Sequence, residues 1–332
     1  MFLGVDGGGT KTALCLVDQD GLLVASAQAA STYYFSEGIG LVEHVLQQGI
    51  SAVCARAGIS PQDISYSFFG LPSYGEVSSD VSILVAAPRS VLRHDRYTCD
   101  NDMVCGWAGS LAAKDGINVI SGTGSMTYGE HAGHRVRVGG WGELFGDEGS
   151  AYWIAVRGLA AFSRMSDGRS DAAPLHRLLR QHLNLRTDLD LIDVVLNQWQ
   201  GDRSEIAALS PLVVEAARQG DAFAGAILAD AARELAEIVD TTRRRLEFPQ
   251  DTPVPVSYSG GVFSADSVRT TFGQQLAALH DGYQLHQPLF TPVVGAAIYA
   301  AKLAGTPLSD SALQRLRATE SAAASAPATL DS

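Results

Sequence analysis

The sequence is poor in cysteine and has no long apolar run. Its four cysteines, Cys15, Cys54, Cys99 and Cys105, include no Cys-x-x-Cys pair and are too sparse for a disulfide framework in 332 residues. This favours a reducing compartment, so we expect a cytoplasmic protein. No apolar stretch approaches the length of a membrane span, and no basic leader precedes the first apolar residues. We therefore expect neither a membrane anchor nor a signal peptide.

Basic residues are also scarce. Lysine occurs three times, and Lys and Arg together number 24 against 36 Asp and Glu, which gives a formal net charge of −12. Because this charge repels polyanions, it argues against nucleic acid and anionic membranes as partners. Hydrophobic residues make up 46% of the chain, enough for ordinary cores, and the length predicts two domains.

Glycine, by contrast, is clustered in a pattern that occurs twice. Val5-Asp6-Gly7-Gly8-Gly9-Thr10 is echoed by Ile120-Ser121-Gly122-Thr123-Gly124-Ser125. In both, an apolar run enters a turn of glycine and hydroxyl residues and leaves as an alternating, strand-like stretch. Glycine lets backbone N–H groups approach an anion, and Thr10, Thr123 and Ser125 add hydroxyl donors that suit phosphate oxygens. The repetition predicts two halves that grip one polyphosphate, although either turn alone is typical of a simple hairpin.

The first turn also overlaps a misleading match to the Walker A motif. Gly4 to Thr12 reads G-V-D-G-G-G-T-K-T, one residue out of register with G-x-x-x-x-G-K-[ST]. That motif needs a helix after it. Here two apolar runs flank Asp20-Gly21, which is a β-hairpin signal. We therefore assign Lys11 no catalytic role.

The order of predicted elements repeats along the chain. A meander of strands at 2–7, 12–18 and 21–28, followed by a helix and strands, is restarted at 116 by a second meander. Helices then dominate, at 149–164, 174–183, 188–198, 204–218 and 221–247, up to a last strand at 254–259 and a helix through Leu279. We interpret this as an internal repeat of architecture.

Acidic residues lie between the two turns. Asp100 and Asp102 follow a predicted strand and come just before an apolar helix at 103–113. A carboxylate there can accept a hydroxyl proton while the helix N-terminus keeps it ionised. Simple N-capping of the helix by either residue is the alternative interpretation.

The segment richest in glycine runs from Gly139 to Ala155 and reads G-G-W-G-E-L-F-G-D-E-G-S-A-Y-W-I-A. Each glycine costs conformational entropy, so we expect the loop to have a binding function. Trp141 offers a flat apolar face and Asp147 a bidentate acceptor, a combination suited to a sugar. The alternative is a helix N-cap in which Glu148 favours the helix dipole.

Together these motifs resemble the N-acetylglucosamine kinase family within the sugar kinase, heat-shock 70 and actin superfamily, which is related to the activator ATPases of 2-hydroxyacyl-CoA dehydratase and benzoyl-CoA reductase. V-D-G-G-G-T-K-T is similar to the first phosphate motif and I-S-G-T-G-S to the second. Ser257 to Val262 is similar to the adenosine motif. G-G-W-G-x-x-x-G-D-E-G-S-A-Y-W-I-A is the most specific of the four.

The resemblance implies an α/β fold of two ribonuclease H-like (actin-like ATPase) domains with a central nucleotide and sugar cleft. The N-terminal domain would span 1–115, with 292–304 as a closing helix that packs back on it. The C-terminal domain would span 116–291 and carry a helical insertion. The tail would span 305–332, and its composition predicts disorder from Thr319 onward.

The resemblance also implies ATP and Mg²⁺ as cofactors and a role for each matching residue. Asp102 would be the general base for a sugar hydroxyl, with the 6-hydroxyl as the expected acceptor. Asp6 would orient Mg²⁺ through water. The residues that would hold the sugar are Gly140, Trp141, Gly142 and Asp147, with Ser125 and Met126 at its edge. Those that would bind the nucleotide are Gly8, Gly9, Thr10 and Thr123 at the phosphates, and Gly260, Gly261 and Ser264 near adenosine.

One departure concerns the sugar. In the family, Ser-Thr is commonly followed by an asparagine that contacts sugar hydroxyls, whereas here Ser31-Thr32 is followed by Tyr33. A phenol cannot reproduce the paired donor and acceptor of a carboxamide. We expect ATP-dependent conversion of N-acetylglucosamine to its 6-phosphate, with glucosamine or another hexosamine as the alternative substrate. An activator ATPase with an iron–sulfur cluster at a dimer interface and a non-catalytic sugar sensor are the remaining alternatives. The sequence leaves a homodimer open.

Overall fold

The computed structural model describes residues 1–325, and residues 326–332 lie outside the described part. The chain divides into two compact units. The first consists of Met1–Lys114 together with the chain from Gln287 onward, and the second is Asp115–His286. Within the described residues, no helix is both long and apolar enough to cross a membrane.

The first part of unit 1 alternates strands and helices. Its elements are β1 Phe2–Gly7, β2 Lys11–Val17, β3 Leu23–Ala30, α1 Gly40–Ala57, β4 Tyr66–Leu71, α2 Val81–Ala86, α3 Arg89–Leu92, β5 Tyr97–Asn101 and α4 Met103–Leu111. β1 is almost wholly buried because it is the central strand of the sheet and is covered on both faces. Helix α1 covers one face with Val42, Leu46 and Ile50.

Unit 2 contains the second sheet and the helical insertion. Its elements are β6 Gly116–Ser121, β7 Ser125–His131, β8 His134–Gly139, α5 Ala151–Ser166, α6 Pro174–His182, α7 Asp190–Ile192, α8 Arg203–Ala207, α9 Ser210–Arg218, α10 Ala222–Arg245, β9 Val254–Ser259, α11 Asp266–Leu279 and β10 Tyr283–His286. Helix α10 packs on the sheet with Leu235 and Val239, which share a core with Ile117 and Val256.

The two sheets have the same topology. In unit 1 the strand order is β3-β2-β1-β4-β5, and in unit 2 it is β8-β7-β6-β9-β10. The first three strands of each order are antiparallel, and the last two run parallel to the central strand. The predicted repeat of architecture and the predicted α/β class of two ribonuclease H-like domains are therefore confirmed.

The chain returns to unit 1 through α12 Pro292–Leu303 and α13 Asp310–Ser325. Helix α12 crosses β1 so closely that a Cβ on Gly4 would lie 2.4 Å from the backbone nitrogen of Ala297. It crosses α4 just as closely, since a Cβ on Gly295 would lie 2.0 Å from the nitrogen of Gly109. Small residues thus allow α12 to pack directly on the central strand and on the helix that follows β5.

Several sequence-based elements differ from the structure. The predicted helix at 204–218 is two helices, because α9 begins at Ser210 with Pro211 in its first turn, where a proline can start a helix but cannot continue one. The predicted helix at 188–198 is one turn of α7 followed by π-helical Asp193–Gln198. The helix predicted after Gly260 starts as a 3-10 turn, Gly261–Ser264, before α11.

The expected disorder from Thr319 onward is wrong for the described residues, because α13 continues to Ser325. Alanine is the strongest helix former, and the alanine-rich tail was interpreted only as low complexity. The helix also has a packing surface: Ala312 and Leu316 are buried, and a Cβ on Gly21 would lie 2.0 Å from the carbonyl oxygen of Ala312. The rest of the expected disordered stretch lies outside the described residues.

Candidate active site

The first glycine turn lies at the carboxyl end of β1. The Gly8 N–H donates to the Lys11 carbonyl oxygen at 2.9 Å, and Gly9 and Thr10 are exposed. The Ser31 hydroxyl donates to the Gly8 carbonyl oxygen at 2.8 Å, so the segment after β3 holds the turn in place. The backbone of this turn is exposed, so phosphate binding by the turn stays a prediction that its geometry allows.

Carboxylates gather at the same edge of the first sheet. Parallel pairing aligns Asp6 of β1 with Gly70 of β4, and Gly70 with Asp100 of β5. Asp102 follows directly, and its Cα lies 3.0 Å from the position that a Cβ on Gly70 would take. Burial, with the nearby Asp102 carboxylate as the second cause, raises the pKa of Asp6 to about 7.

The N-terminus of α4 is capped by Asn101 and not by the Asp102 side chain. Asp102 occupies the N-cap position of α4, but its side chain makes no capping hydrogen bond. The Asn101 Oδ1 accepts from the Met103 N–H at 3.1 Å instead, and Asp100 Oδ1 accepts from the Asn101 N–H at 2.8 Å. Capping therefore does not account for Asp102, and its half-buried carboxylate remains a candidate base.

The second glycine turn lies at the carboxyl end of β6 and is bonded to the glycine-rich segment that follows β8. We call residues 139–150 the glycine loop. The Ser125 hydroxyl donates to the Glu148 carbonyl oxygen at 2.7 Å, and the Ser121 hydroxyl donates to the Gly149 carbonyl oxygen at 2.8 Å. Ser125 thus uses its hydroxyl to fix the glycine loop, whereas Thr123 is exposed at the tip of the turn.

The adenosine motif lies beside this turn. Strand β9 pairs with β6 in parallel, with Ser259 opposite Ile120, so Gly260 follows at the same edge of the sheet. Gly260 has φ +97, and a Cβ there would lie 2.2 Å from the Ser121 carbonyl oxygen, so only glycine fits. Gly261 and Ser264 form the exposed 3-10 turn that follows, in which the Ser264 hydroxyl donates to the Gly261 carbonyl oxygen at 2.7 Å.

The glycine loop has a backbone that few other sequences could adopt. Gly139, Gly140, Gly142 and Gly149 all have positive φ, and so does Asp147, at +57. The chain presents Trp141 and Phe145 to solvent, with 72% and 75% of their surfaces exposed. Met126 lies below, with its Cε 2.7 Å from where a Cβ on Gly140 would be. An exposed indole above a tightly bonded backbone suits the flat face of a small ligand.

Asp147 is placed differently from the expectation of an open acceptor. It is 3% exposed, and its Oδ2 accepts from the Nη2 of Arg203 at 2.6 Å. Its Oδ1 is buried and has no hydrogen-bond partner. Burial raises the pKa of Asp147, and Arg203 opposes that rise. Arg203 has no sequence signal that would have revealed this role, because nothing in the helical insertion indicates that it reaches back to the glycine loop.

Tyr33, which stands where the family has asparagine, is on the segment that holds the first turn. Its N–H donates to the Ser31 hydroxyl oxygen at 3.0 Å, and its ring is 41% exposed. The next residue, Tyr34, is buried and donates its hydroxyl proton to Asp80 at 3.0 Å. The Tyr33 ring packs edge-on against that of Phe35 and is partly exposed, while Tyr34 anchors the segment.

The donor atoms of the first unit fit a magnesium ion bound mainly through water. Among residues 1–325, no group of three or more His, Cys, Asp and Glu side chains forms a metal cluster. Mg²⁺ in phosphate-binding sites commonly uses one or two carboxylates, waters and phosphate oxygens. The neighbouring carboxylates of Asp6 and Asp102 suit it, because a divalent cation would offset both the burial that mainly raises the Asp6 pKa and the repulsion from Asp102 that adds to it.

All four cysteines are buried side chains of the first unit. Cys15 donates to the Val293 carbonyl oxygen at 3.3 Å and Cys105 to that of Val5 at 3.5 Å. Burial raises the pKa of the Cys99 and Cys54 thiols, to about 12 and about 11. Buried, protonated thiols are poorly suited to ligate a cluster that two subunits share.

The site residues thus form one set in each unit. Unit 1 brings Asp6 and Asp102 to the same sheet edge as the first turn, Gly8–Thr10. Unit 2 brings together the second turn, the glycine loop and the adenosine motif, whose predicted members are Thr123, Ser125, Met126, Gly140, Trp141, Gly142, Asp147, Gly260, Gly261 and Ser264. The predicted site residues lie at or just beyond the carboxyl end of a strand, where α/β sheets bind ligands, or in the glycine loop, except Ser125 and Met126, which begin β7 beside the second turn.

The chain is similar in sequence to curated sugar kinases. The chain is 27% identical to the N-acetyl-D-glucosamine kinase of Dictyostelium discoideum over 314 residues, which cover 90% of this chain and 97% of that protein. It is 31% identical to an N-acetylmuramic acid/N-acetylglucosamine kinase of Clostridium acetobutylicum over 263 residues, 79% of this chain and 85% of that protein.

The fold has solved counterparts as well. A Chromobacterium violaceum protein assigned as an N-acetylglucosamine kinase superposes with a TM-score of 0.68 and 25% identity, covering 91% of this chain and 98% of that one. The model of the BadF/BadG/BcrA/BcrD ATPase family matches residues 3–300. With its two repeated sheets and its glycine turns, this chain belongs to the BadF/BadG/BcrA/BcrD ATPase family.

Proposed function

We propose that the protein transfers the γ-phosphoryl group of ATP to the 6-hydroxyl of an amino sugar, with N-acetylglucosamine as the preferred substrate. The observation that carries the proposal is the bonding of the glycine loop to the second turn through Ser125 and Ser121. These hydrogen bonds join a loop suited to a sugar to a turn suited to phosphate within unit 2. Kinases of amino sugars among the relatives support the same reaction.

The nucleotide would be held by the exposed turns. Gly8, Gly9 and Thr10 of the first turn, and Thr123 of the second, would donate hydrogen bonds to the phosphates. Gly260, Gly261 and Ser264 would lie near adenosine. Mg²⁺, when bound near Asp6 through water, would neutralise charge on the phosphates.

Asp102 would act on the acceptor hydroxyl. The sugar oxygen attacks the γ-phosphorus, its proton passes to the Asp102 carboxylate, and the bond from the γ-phosphorus to the β–γ bridging oxygen breaks to release ADP. Phosphoryl transfer needs mainly positioning and charge stabilisation from a protein, so one base suffices. A half-buried carboxylate that is not needed for capping suits this role.

The sugar would lie on the glycine loop. Trp141 would cover one face of the ring, Gly140 and Gly142 would allow close backbone approach, and Asp147 would accept from a hydroxyl. Met126 and Ser125 would border the sugar, although the Ser125 hydroxyl is already used within the protein.

A second candidate substrate is glucosamine, which stays open because the phenol of Tyr33 cannot reproduce the paired donor and acceptor with which a carboxamide contacts sugar hydroxyls. The activator ATPase and sugar-sensor alternatives are less consistent with the protein. The four thiols are buried, which argues against a shared cluster, and the proposed base Asp102 argues for a catalytic protein. A cytoplasmic location stays a prediction.

The test is ADP release with purified protein, Mg-ATP and a panel of N-acetylglucosamine, glucosamine, N-acetylmuramic acid and glucose. We expect the highest kcat/KM with N-acetylglucosamine, and a product that carries phosphate on the 6-position by NMR. Highest turnover with glucosamine would establish the second candidate. Binding of a sugar with no turnover of any would overturn the kinase proposal in favour of a sensor.

A further inference from the structure

Arg203 connects the helical insertion to the glycine loop. It is the first residue of α8, whose N-terminus is capped by Asp202 through hydrogen bonds from the N–H groups of Ser204 and Glu205. Its Nη2 lies 2.6 Å from Oδ2 of Asp147, and its Nη1 lies 3.4 Å from Oε2 of Glu143. One guanidinium thus pairs with two acids of the glycine loop. Asp147 lies 56 residues before Arg203 in the chain.

The ion pair lies directly against the second glycine turn. A Cβ on Gly124 would be 2.5 Å from Nη2 of Arg203 and 2.6 Å from Oδ2 of Asp147. Asp147 has a left-handed backbone, which an aspartate adopts at a cost and only when its surroundings hold it there. A shift of the second turn, the glycine loop or the Arg203–Asp147 pair would therefore displace the other two.

One carboxylate oxygen of Asp147 is not engaged by Arg203. Its Oδ1 is buried, with no hydrogen-bond partner, while Arg203 engages Oδ2. The backbone N–H groups of Ser125 and Gly142 lower the pKa of Asp147 but leave Oδ1 without a well-formed hydrogen bond, so this oxygen can accept from a ligand. A sugar hydroxyl is a donor of the right kind.

We infer that Arg203 is a positioning residue for sugar binding: it holds Oδ2 of Asp147 and the Glu143 carboxylate, so that Oδ1 of Asp147 is oriented to accept from a substrate hydroxyl. The inference rests on the proposed function for the identity of the ligand. The role of Arg203 in ordering the loop stands on the geometry alone and can be tested without a substrate.

The kinetic test compares Arg203→Met, Arg203→Lys and Asp147→Asn with the control Arg218→Met. Arg218 is also in the helical insertion, but it pairs with Glu215 on an exposed surface. We expect Arg203→Met to raise the KM for N-acetylglucosamine about 10- to 100-fold, the range for loss of a hydrogen bond to a charged group. The KM for ATP should stay within about twofold, and Arg218→Met should match the wild type.

Lysine and a double substitution refine this test. A lysine keeps the charge but cannot pair with both acids in fork geometry, so Arg203→Lys should recover part of the sugar affinity. Adding Arg203→Met to Asp147→Asn should cost little beyond Asp147→Asn alone, because both remove the same oriented oxygen. Additive losses would mean that Arg203 does not act through Asp147, and would overturn the inference.

The charges around Asp147 also predict how the KM for the sugar should change with pH. The charged groups that bear on Asp147 are Arg203, which lowers its pKa, and Glu143, which raises it. Without Arg203 the pKa rises further, and the protonated acid loses its acceptor charge. The KM for N-acetylglucosamine should therefore start to rise, as pH falls, at a higher pH in Arg203→Met than in the wild type. Superimposable profiles would contradict the positioning role.

Hydrogen exchange followed by mass spectrometry separates failure of this inference from failure of the proposed function. In the protein without ligand, amides of the glycine loop should exchange at least about tenfold faster in Arg203→Met than in the wild type or Arg218→Met. Unchanged exchange would overturn the ordering role even if the protein phosphorylates N-acetylglucosamine. Faster exchange without phosphorylation of any sugar would support the ordering role and refute only the assigned ligand.

Discussion

Replacing Gly295 with alanine tests whether the crossing of α12 and α4 positions the candidate base. A Cβ at Gly295 would lie 2.0 Å from the backbone nitrogen and 2.4 Å from the Cα of Gly109. Ordinary contacts are about 3.5 to 4 Å, so the two helices would have to separate by roughly 1 to 2 Å. The obstructing atoms are backbone, so no side-chain rotation can relieve the clash.

The expected cost follows from this geometry. Overpacking of a well-packed core costs about 1 to 3 kcal/mol, and a backbone clash belongs at the upper end of that range. Replacing glycine by alanine in a helix returns about 0.5 to 1 kcal/mol. The net loss is therefore about 2 kcal/mol, which lowers the Tm of the transition that involves unit 1 by roughly 4 to 8 °C for a unit of this size.

The matched control is Gly225→Ala in α10. Nothing lies within 4 Å of a Cβ at Gly225, so the substitution gains helix propensity without a clash. We expect its Tm to rise slightly. Calorimetry of both variants would check the difference, and kcat should fall for Gly295→Ala because Asp102 stands at the start of α4. A Tm for Gly295→Ala equal to or above that of the wild type would refute the reasoning.

Three further substitutions test individual site residues. Asp102→Asn should lower kcat by about two to four orders of magnitude, as expected for loss of a general base, while calorimetric binding of N-acetylglucosamine stays within about tenfold; near-full activity would move the base to Asp100 or Asp147. Gly124→Ala should raise the KM for the sugar by about tenfold or more, since the added Cβ would separate the Arg203–Asp147 pair; an unchanged KM would show that the pair can shift without loss. Tyr33→Asn should lower the KM for N-acetylglucosamine and for glucosamine by about fivefold or more, because a restored carboxamide can pair with hydroxyls that both sugars carry; unchanged KM values in parallel assays would show that this position does not contact the sugar.

Strand signals were clear where side chains alternate or are buried on both faces, and weak where a strand is short. β1 and β9 were predicted within a residue or two of their observed bounds. β10 was missed because its four residues, Tyr283–His286, lie at the sheet edge and are mostly exposed, so no apolar pattern reveals them. The repeat of topology supplies that strand as the counterpart of β5, but only after the sheets are known.

The candidate base shows a limit of a different kind. A carboxylate before a helix can cap it or do chemistry, and the sequence cannot tell which of several neighbours makes the capping bond. In the structure the Asn101 side chain accepts from the first N–H of α4, and the Asp102 side chain makes no capping hydrogen bond. Side-chain rotamers at a helix start depend on what packs around them, and here that includes Gly70 and the end of β1.

The sequence by itself determined the two glycine turns, the α/β class and the position of the glycine loop in the chain. These features depend on local backbone freedom and on hydrogen-bonding groups within a few residues. Only the tertiary structure decided how the turns are held. Ser31 reaches Gly8, Ser125 reaches Glu148, and Arg203 reaches Asp147. Each contact joins segments that are distant in sequence, and their distances are set by sheet register and helix packing, which no local pattern encodes.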